Sequence, residues 1–159
     1  MTSQEEDLLD EPNNVPDKGC YWSQLLGQSQ GQLFQEISQA QLQQISPTAL
    51  AYLGDAVYEL YIRRFYLLPP KRSQTYHSLV VEQVRAEKQA EVLRLLYPHL
   101  RSNELEIVRK GRNAATGRPK RLDPETYQQA TSLETLIGYL YLQDCHRLTE
   151  LLQKLQLEQ

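Results

Sequence analysis

Between Ser46 and Leu155 the apolar residues recur at spacings of three and four, as in helices that bury one face, and no segment alternates with a period of two. That pattern restricts the chain to an all-α core. Ser46-Pro47 places a serine cap before a proline in the first helical position. It opens a helix through Leu50, Leu53, Ala56, Val57, Leu60 and Tyr61 to about Leu67, where Pro69-Pro70 stops it. One long helix is expected from about Ser73 to Leu96, ended by Pro98. Ser102 can cap the next, with Glu104 and Glu106 at its positive end, Arg109 and Lys110 at its negative end, and Gly111 closing it. Arg112 to Asp123, with Asn113, Gly117 and Pro119, reads as a basic loop. Asp123-Pro124 then starts a helix through Tyr127, Ala130, Leu133, Leu136, Ile137, Leu140 and Tyr141, and a last amphipathic helix holds Leu148, Leu151, Leu152 and Leu155. Before them, from Gln32 to Gln44, Leu33, Phe34, Ile37, Leu42 and Ile45 permit a short helix in a Gln-rich stretch. The expected organisation is a polar, disordered leader over residues 1–30 and one folded domain over residues 31–159.

Two of these helices carry charges in unfavourable places. Leu53-Gly54-Asp55-Ala56-Val57-Tyr58-Glu59-Leu60 and Ser132-Leu133-Glu134-Thr135-Leu136-Ile137-Gly138-Tyr139-Leu140 each set a carboxylate in an apolar stripe, which is costly unless a cation compensates it. The same-face neighbours of Asp55 are Ala51, Tyr52, Tyr58 and Glu59. A glycine inside a helix costs about 1 kcal/mol relative to alanine, so Gly54 and Gly138 suggest two helices crossing closely enough to bring Asp55 and Glu134 together. Two carboxylates and water suit Mg²⁺, which binds hard oxygen donors and keeps much of its hydration. An arginine such as Arg63 or Arg85 paired with each carboxylate is the structural alternative.

The net charge of −3 hides an asymmetry. Arg109, Lys110, Arg112, Arg118, Lys120 and Arg121 fall in one acid-free segment, while the first eleven residues carry five acids and no base. An acidic N-terminus without an apolar region gives no secretory signal, and no run is long enough to span a membrane, so a cytoplasmic protein with no membrane association is expected. Two cysteines, Cys20 and Cys145, are too few for a disulfide framework or a thiolate metal site and are expected as reduced thiols. His77, His99 and His146 lack the partner a general base requires. Tyr58, Tyr61, Tyr139 and Tyr141 are expected mostly in the core.

The Gly54-Asp55 and Glu134-Gly138 segments resemble, in order and separation, the two signature segments of the ribonuclease III catalytic domain. The chain is most similar to the mini-ribonuclease III form, which lacks the usual double-stranded-RNA-binding domain, and it carries Arg109-Lys110-Gly111-Arg112-Asn113-Ala114 before the second signature. The resemblance covers about residues 46–155. It implies an all-helical, homodimeric endoribonuclease whose two active sites span one double-stranded RNA groove. It also implies Mg²⁺-dependent hydrolysis leaving 5′-phosphate and 3′-hydroxyl ends, and a role in maturing large-subunit (23S) ribosomal RNA precursors. Asp55 and Glu134 occupy the positions of the metal-binding, catalytic carboxylates. Ala51 and Thr131 stand where larger members of the superfamily have two further acids, which halves the charge available to metal. Glu59, one turn after Asp55, is expected in an ion pair rather than in the site. Arg112, Asn113, Arg118, Lys120 and Arg121 suit phosphate contacts to double-stranded RNA, which is read by shape.

Overall fold

A computed structural model describes residues 37–117 and 119–158. The expected leader and Arg118 lie outside the described residues. The helices are α1 (Gln39–Gln44), α2 (Pro47–Tyr66), α3 (Ser73–Val84), α4 (Ala86–Leu96), α5 (Ser102–Ala114), α6 (Pro124–Gln143) and α7 (Cys145–Leu152), with a single 3₁₀ turn at Tyr97–His99. No strand occurs among the described residues, as the periodicity requires.

The long helices begin where their caps predict. Ser46 Oγ accepts the Ala49 N–H at 3.1 Å ahead of α2, and Asp123 Oδ2 accepts the Thr126 N–H at 2.9 Å ahead of α6. Helix α6 is the centre of the fold, packed against α2, α4 and α5. Its Leu133, Leu136 and Ile137 meet Tyr58 and Ile62 of α2 in the core, each with 2% exposure or less. Burying side chains of this size contributes about 1.5–3 kcal/mol apiece. Tyr61, Tyr139 and Tyr141 pack against the same core, and Tyr61 donates its hydroxyl to the Leu152 carbonyl at 3.2 Å.

The structure departs from the expected helices in two places. Ser73 to Leu96 is not one helix: Arg85 is extended (φ −66°, ψ 153°) and divides α3 from α4. The Gln89 side chain donates to the freed Val84 carbonyl at 3.2 Å, satisfying the end of α3. Apolar spacing is blind to one extended residue, because Val80 and Ala90 still fall on buried faces on either side. Nor does Gly111 end α5, which runs on to Ala114. A Cβ at Gly111 would meet Thr135 Cβ of α6 at 2.8 Å, so this glycine lets two helices approach. Arg112 and Asn113 consequently stand on the last turn of α5 rather than in a loop. Cys145 is disulfide-bonded and not the reduced thiol expected; Cys20 lies outside the described residues.

Candidate active site

Helices α2 and α6 cross backbone to backbone. A Cβ built on Gly54 would fall on the Glu134 carbonyl oxygen and 2.8 Å from the Gly138 nitrogen. One built on Gly138 would fall on the Leu50 carbonyl oxygen and 3.1 Å from the Gly54 nitrogen. Only hydrogen fits at either position, and Asp55 follows directly in the chain while Glu134 lies one turn before Gly138. Gly54→Ala should therefore push the helices apart, lowering stability by about 1–3 kcal/mol in a urea titration and weakening any activity that needs both carboxylates. Wild-type stability in that variant would contradict the crossing.

The crossing brings the two carboxylates within electrostatic reach of each other. Glu134 is mostly recessed, and its pKa is pushed up to about 7, first by burial and second by the charge of Asp55. A hydrogen bond from Gln89 acts in the opposite direction and favours the carboxylate. Asp55 stands at the exposed rim. Its pKa is also raised, by partial burial and then by the charge of Glu59. Neither forms a salt bridge among the described residues. The two candidate partners are engaged locally, Arg63 with Glu59 at 3.1 Å and Arg85 with Glu82 at 2.6 Å. Glu59 thus lies in a surface ion pair, as its spacing suggests.

Ala51 is buried and Thr131 half-buried, leaving no acid at either position. Among the described residues no three His, Cys, Asp or Glu side chains gather as a metal-binding group. The pair still fits a hard dication, because a recessed carboxylate whose pKa is raised by burial and by the charge of Asp55 is relieved by nearby positive charge. His77, His99 and His146 are all exposed.

Gln89 is the member of this site that sequence reasoning missed. It is only 2% exposed and belongs to the face of α4 that also carries Ala86, Ala90 and Leu93. A polar residue on an apolar stripe is the same signal that singled out Asp55.

The basic residues lie at the end of α5 and on the connection into α6. Arg112 is exposed and reaches Glu125 at 3.9 Å, and Asn113 is exposed beside it. Lys120 and Arg121 are exposed on the connection into α6. This connection turns through Gly117 at φ +74° and is tied back where Tyr127 donates its hydroxyl to the Thr116 carbonyl at 3.2 Å.

Residues 48–144 match the family model of the ribonuclease III domain. Over 116 residues the chain is 58% identical to a mini-ribonuclease 3 of Synechocystis sp., covering 73% of this chain and 81% of that one. Over 119 residues it is 59% identical to a mini-ribonuclease 3 of Synechococcus sp., covering 75% and 86%. A crystal structure of a protein from Fusobacterium nucleatum superposes with a TM-score of 0.65 at 27% identity, covering 70% of this chain and 92% of that one. The helical fold, the glycine-marked crossing and these likenesses agree: the chain belongs to the ribonuclease III family of endoribonucleases, in its mini-ribonuclease 3 branch.

Proposed function

We propose that this chain hydrolyses the phosphodiester backbone of double-stranded RNA with Mg²⁺ held by Asp55 and Glu134. The observation that carries this reading is the unpaired carboxylate couple at the α2–α6 crossing, in which Glu134 keeps a pKa of about 7 instead of being neutralised by an arginine. Asp55, at the exposed rim, and Glu134, more recessed, would together hold the ion. Bound there, Mg²⁺ supplies Lewis acidity and a water of lowered pKa, the chemistry that phosphodiester hydrolysis leaving a 5′-phosphate requires. Recessing Glu134 limits water around its carboxylate and strengthens its electrostatic contribution. The backbone contact between α2 and α6 fixes the separation of the two acids before substrate arrives.

RNA would be held by Arg112, Asn113, Lys120 and Arg121, with Arg118 in the same segment. Exposed cations on the last turn of α5 and on the connection into α6 support this assignment, since phosphate contacts supply most of the affinity for double-stranded RNA. Replacing Lys120 and Arg121 with alanine should weaken RNA binding and lower the slope of log affinity against log salt by about 1–2. An unchanged slope removes both from the contact surface.

Two-strand cleavage calls for a homodimer. An exposed stripe along α2, with Tyr52 at 85% and Leu60 at 46% exposure and Ala56 between them, supports a second copy on that face. Sedimentation at micromolar concentration showing only the 18.5 kDa species would count against it. The large-subunit ribosomal RNA precursor, and with it a cytoplasmic site of action, rests on the resemblance to the mini form. No helix of the described residues is long and apolar enough to cross a membrane. The domain bounds of 31–159 rest on the sequence reading, and residues 31–36 and 159 lie with Arg118 outside the described residues.

A second reading, a non-catalytic RNA-binding or ribosome-assembly protein on the same fold, is favoured by Ala51 and Thr131, which leave the site with half the acids of the larger enzymes. Incubating wild type and Asp55→Asn with double-stranded RNA and Mg²⁺ separates the two. Cleavage by wild type alone supports the hydrolase, whereas equal cleavage, or none by either, defeats it.

A further inference from the structure

One turn of α6 meets both halves of the proposed site. Gly54 of α2 lies against the Glu134 backbone, and Gly111 of α5 lies against Ser132 and Thr135. A Cβ on Gly111 would stand 2.5 Å from Thr135 Oγ1, 2.8 Å from Thr135 Cβ and 3.1 Å from Ser132 Cα. Neither partner can turn aside. Ser132 and Thr135 are each 1% exposed, and their hydroxyls donate to the Gln128 and Thr131 carbonyls, both at 2.7 Å. Threonine is also stiff about its first side-chain torsion. A side chain at 111 would therefore have to lift α5 itself, by about 0.6 Å, to open the 2.8 Å contact to the 3.4 Å of ordinary packing. The residues carried along by that displacement are Arg112 and Asn113, which follow Gly111 in the last turn of α5 and are both exposed. Glu134, by contrast, stays with α6 as the covalent neighbour of Thr135.

We propose that Gly111 is a positioning residue for cleavage: by letting α5 rest directly on the turn of α6 that carries Glu134, it sets the distance from Arg112 and Asn113 to the two carboxylates. This rests on the reading of Arg112 and Asn113 as RNA contacts and of Asp55 and Glu134 as the metal site. A long arginine can stretch over such a shift and keep its phosphate, so affinity survives. The short Asn113 side chain cannot, and RNA held out of place presents its backbone wrongly to the carboxylate pair. A misplacement of about 1 Å can cost about 100-fold in rate.

The test compares, on the full chain, wild type, Gly111→Ala, Gly111→Ala combined with Thr135→Gly, and Leu151→Val, a core change on α7 that measures the effect of stability loss alone. Affinity for double-stranded RNA and its salt slope are read without divalent cation, and single-turnover cleavage is read at saturating RNA with Mg²⁺. Gly111→Ala should keep helical circular dichroism, the salt slope, and an affinity within about threefold of wild type, because its cations are intact. Its saturated rate should fall about 10- to 100-fold. Removing the Thr135 side chain in the double variant should restore most of that rate. Three results overturn the proposal: a saturated rate no lower than that of Leu151→Val, an affinity loss as large as the rate loss, or a double variant as slow as the single one. If Gly111→Ala does not fold, Thr135→Val decides, because its methyl replaces the smaller hydroxyl at the same contact and should produce the same split; failure of both to fold overturns the assignment. Alanine at Arg112 and Asn113 tests the binding premise separately, and unchanged RNA affinity there removes the proposal with it. Wild type that binds RNA and leaves it intact defeats the hydrolase reading as well, whereas wild-type cleavage with an unimpaired Gly111→Ala defeats only the role of Gly111.

Discussion

Replacing Glu134 with glutamine should abolish RNA cleavage, by about a thousandfold or more, and at the same time make the protein more stable above pH 7. The loss of activity follows from removing one of only two acids in the site. The gain in stability follows from the carboxylate's surroundings. Burial and the charge of Asp55 raise the Glu134 pKa from 4.5 to about 7 in the folded chain, so the folded state holds this proton more tightly than the unfolded state does. The benefit is complete below the unfolded value and disappears as pH rises through 7. At pH 8 the ionised carboxylate then costs up to about 3 kcal/mol relative to a neutral group at the same place. Glutamine never ionises, so the variant should lose stability less steeply than wild type between pH 5 and pH 8. Added Mg²⁺ at pH 8 should stabilise wild type and leave the variant unchanged. Urea titrations across that range provide the measurement, and parallel curves for the two proteins would refute the electrostatic account of the site.

Arg147→Ala should cost about 3–5 kcal/mol of stability and lower the melting temperature by about 10 °C, with cleavage retained at temperatures where the variant is folded. Arg147 joins α7 to the start of α5. Its Nε donates to Glu104 Oε1 at 2.8 Å and its NH2 to Oε2 at 3.1 Å. NH2 also donates to the His99 carbonyl at 2.7 Å. Glu104 caps α5 by accepting the Arg101 N–H at 2.8 Å. Side-chain exposure is 10% for Arg147 and 1% for Glu104, so deleting the arginine leaves a buried anion. Burial by itself would raise the Glu104 pKa, but the hydrogen bonds and charges of Arg147 and Arg101 outweigh it and hold the group below the usual carboxylate range. The stability it contributes is therefore present above the unfolded pKa and is lost as pH falls through the depressed value, the opposite sense to Glu134. Replacing both partners together, Glu104→Met with Arg147→Leu, should cost far less than Arg147→Ala, since well-packed apolar substitutes for a buried pair are often neutral. A double variant as unstable as the single one would show that packing, not the uncompensated charge, sets the loss.

Much of the candidate site was legible because its signals are local. Gly54 and Gly138 are poor helix residues in good helices, and Asp55 and Glu134 are charges on apolar stripes, so their costs can be read one helix at a time. The crossing they suggested is the one found. Gln89 carried the same kind of signal, but an uncharged amide is a weaker anomaly than a carboxylate and went unremarked. The break at Arg85 left no trace, because helical spacing continues across one extended residue. Glu104 favours the positive end of α5 on local grounds, yet nothing near it in sequence indicates burial, since its partner is 43 residues away.

The sequence by itself determined the helical class, the proline- and serine-marked starts of α2 and the α6 cap, and the pairing of two acids through their glycines, because hydrogen bonding and periodicity within a helix act over a few residues. Tertiary structure alone decided that Arg63 and Arg85 are engaged with Glu59 and Glu82, that Arg112 and Asn113 end a helix, and that Gln89 is buried against the end of α3. Burial and Coulomb energies depend on distances in space between segments far apart in the chain, and those distances exist only once α2, α4, α5 and α6 have packed.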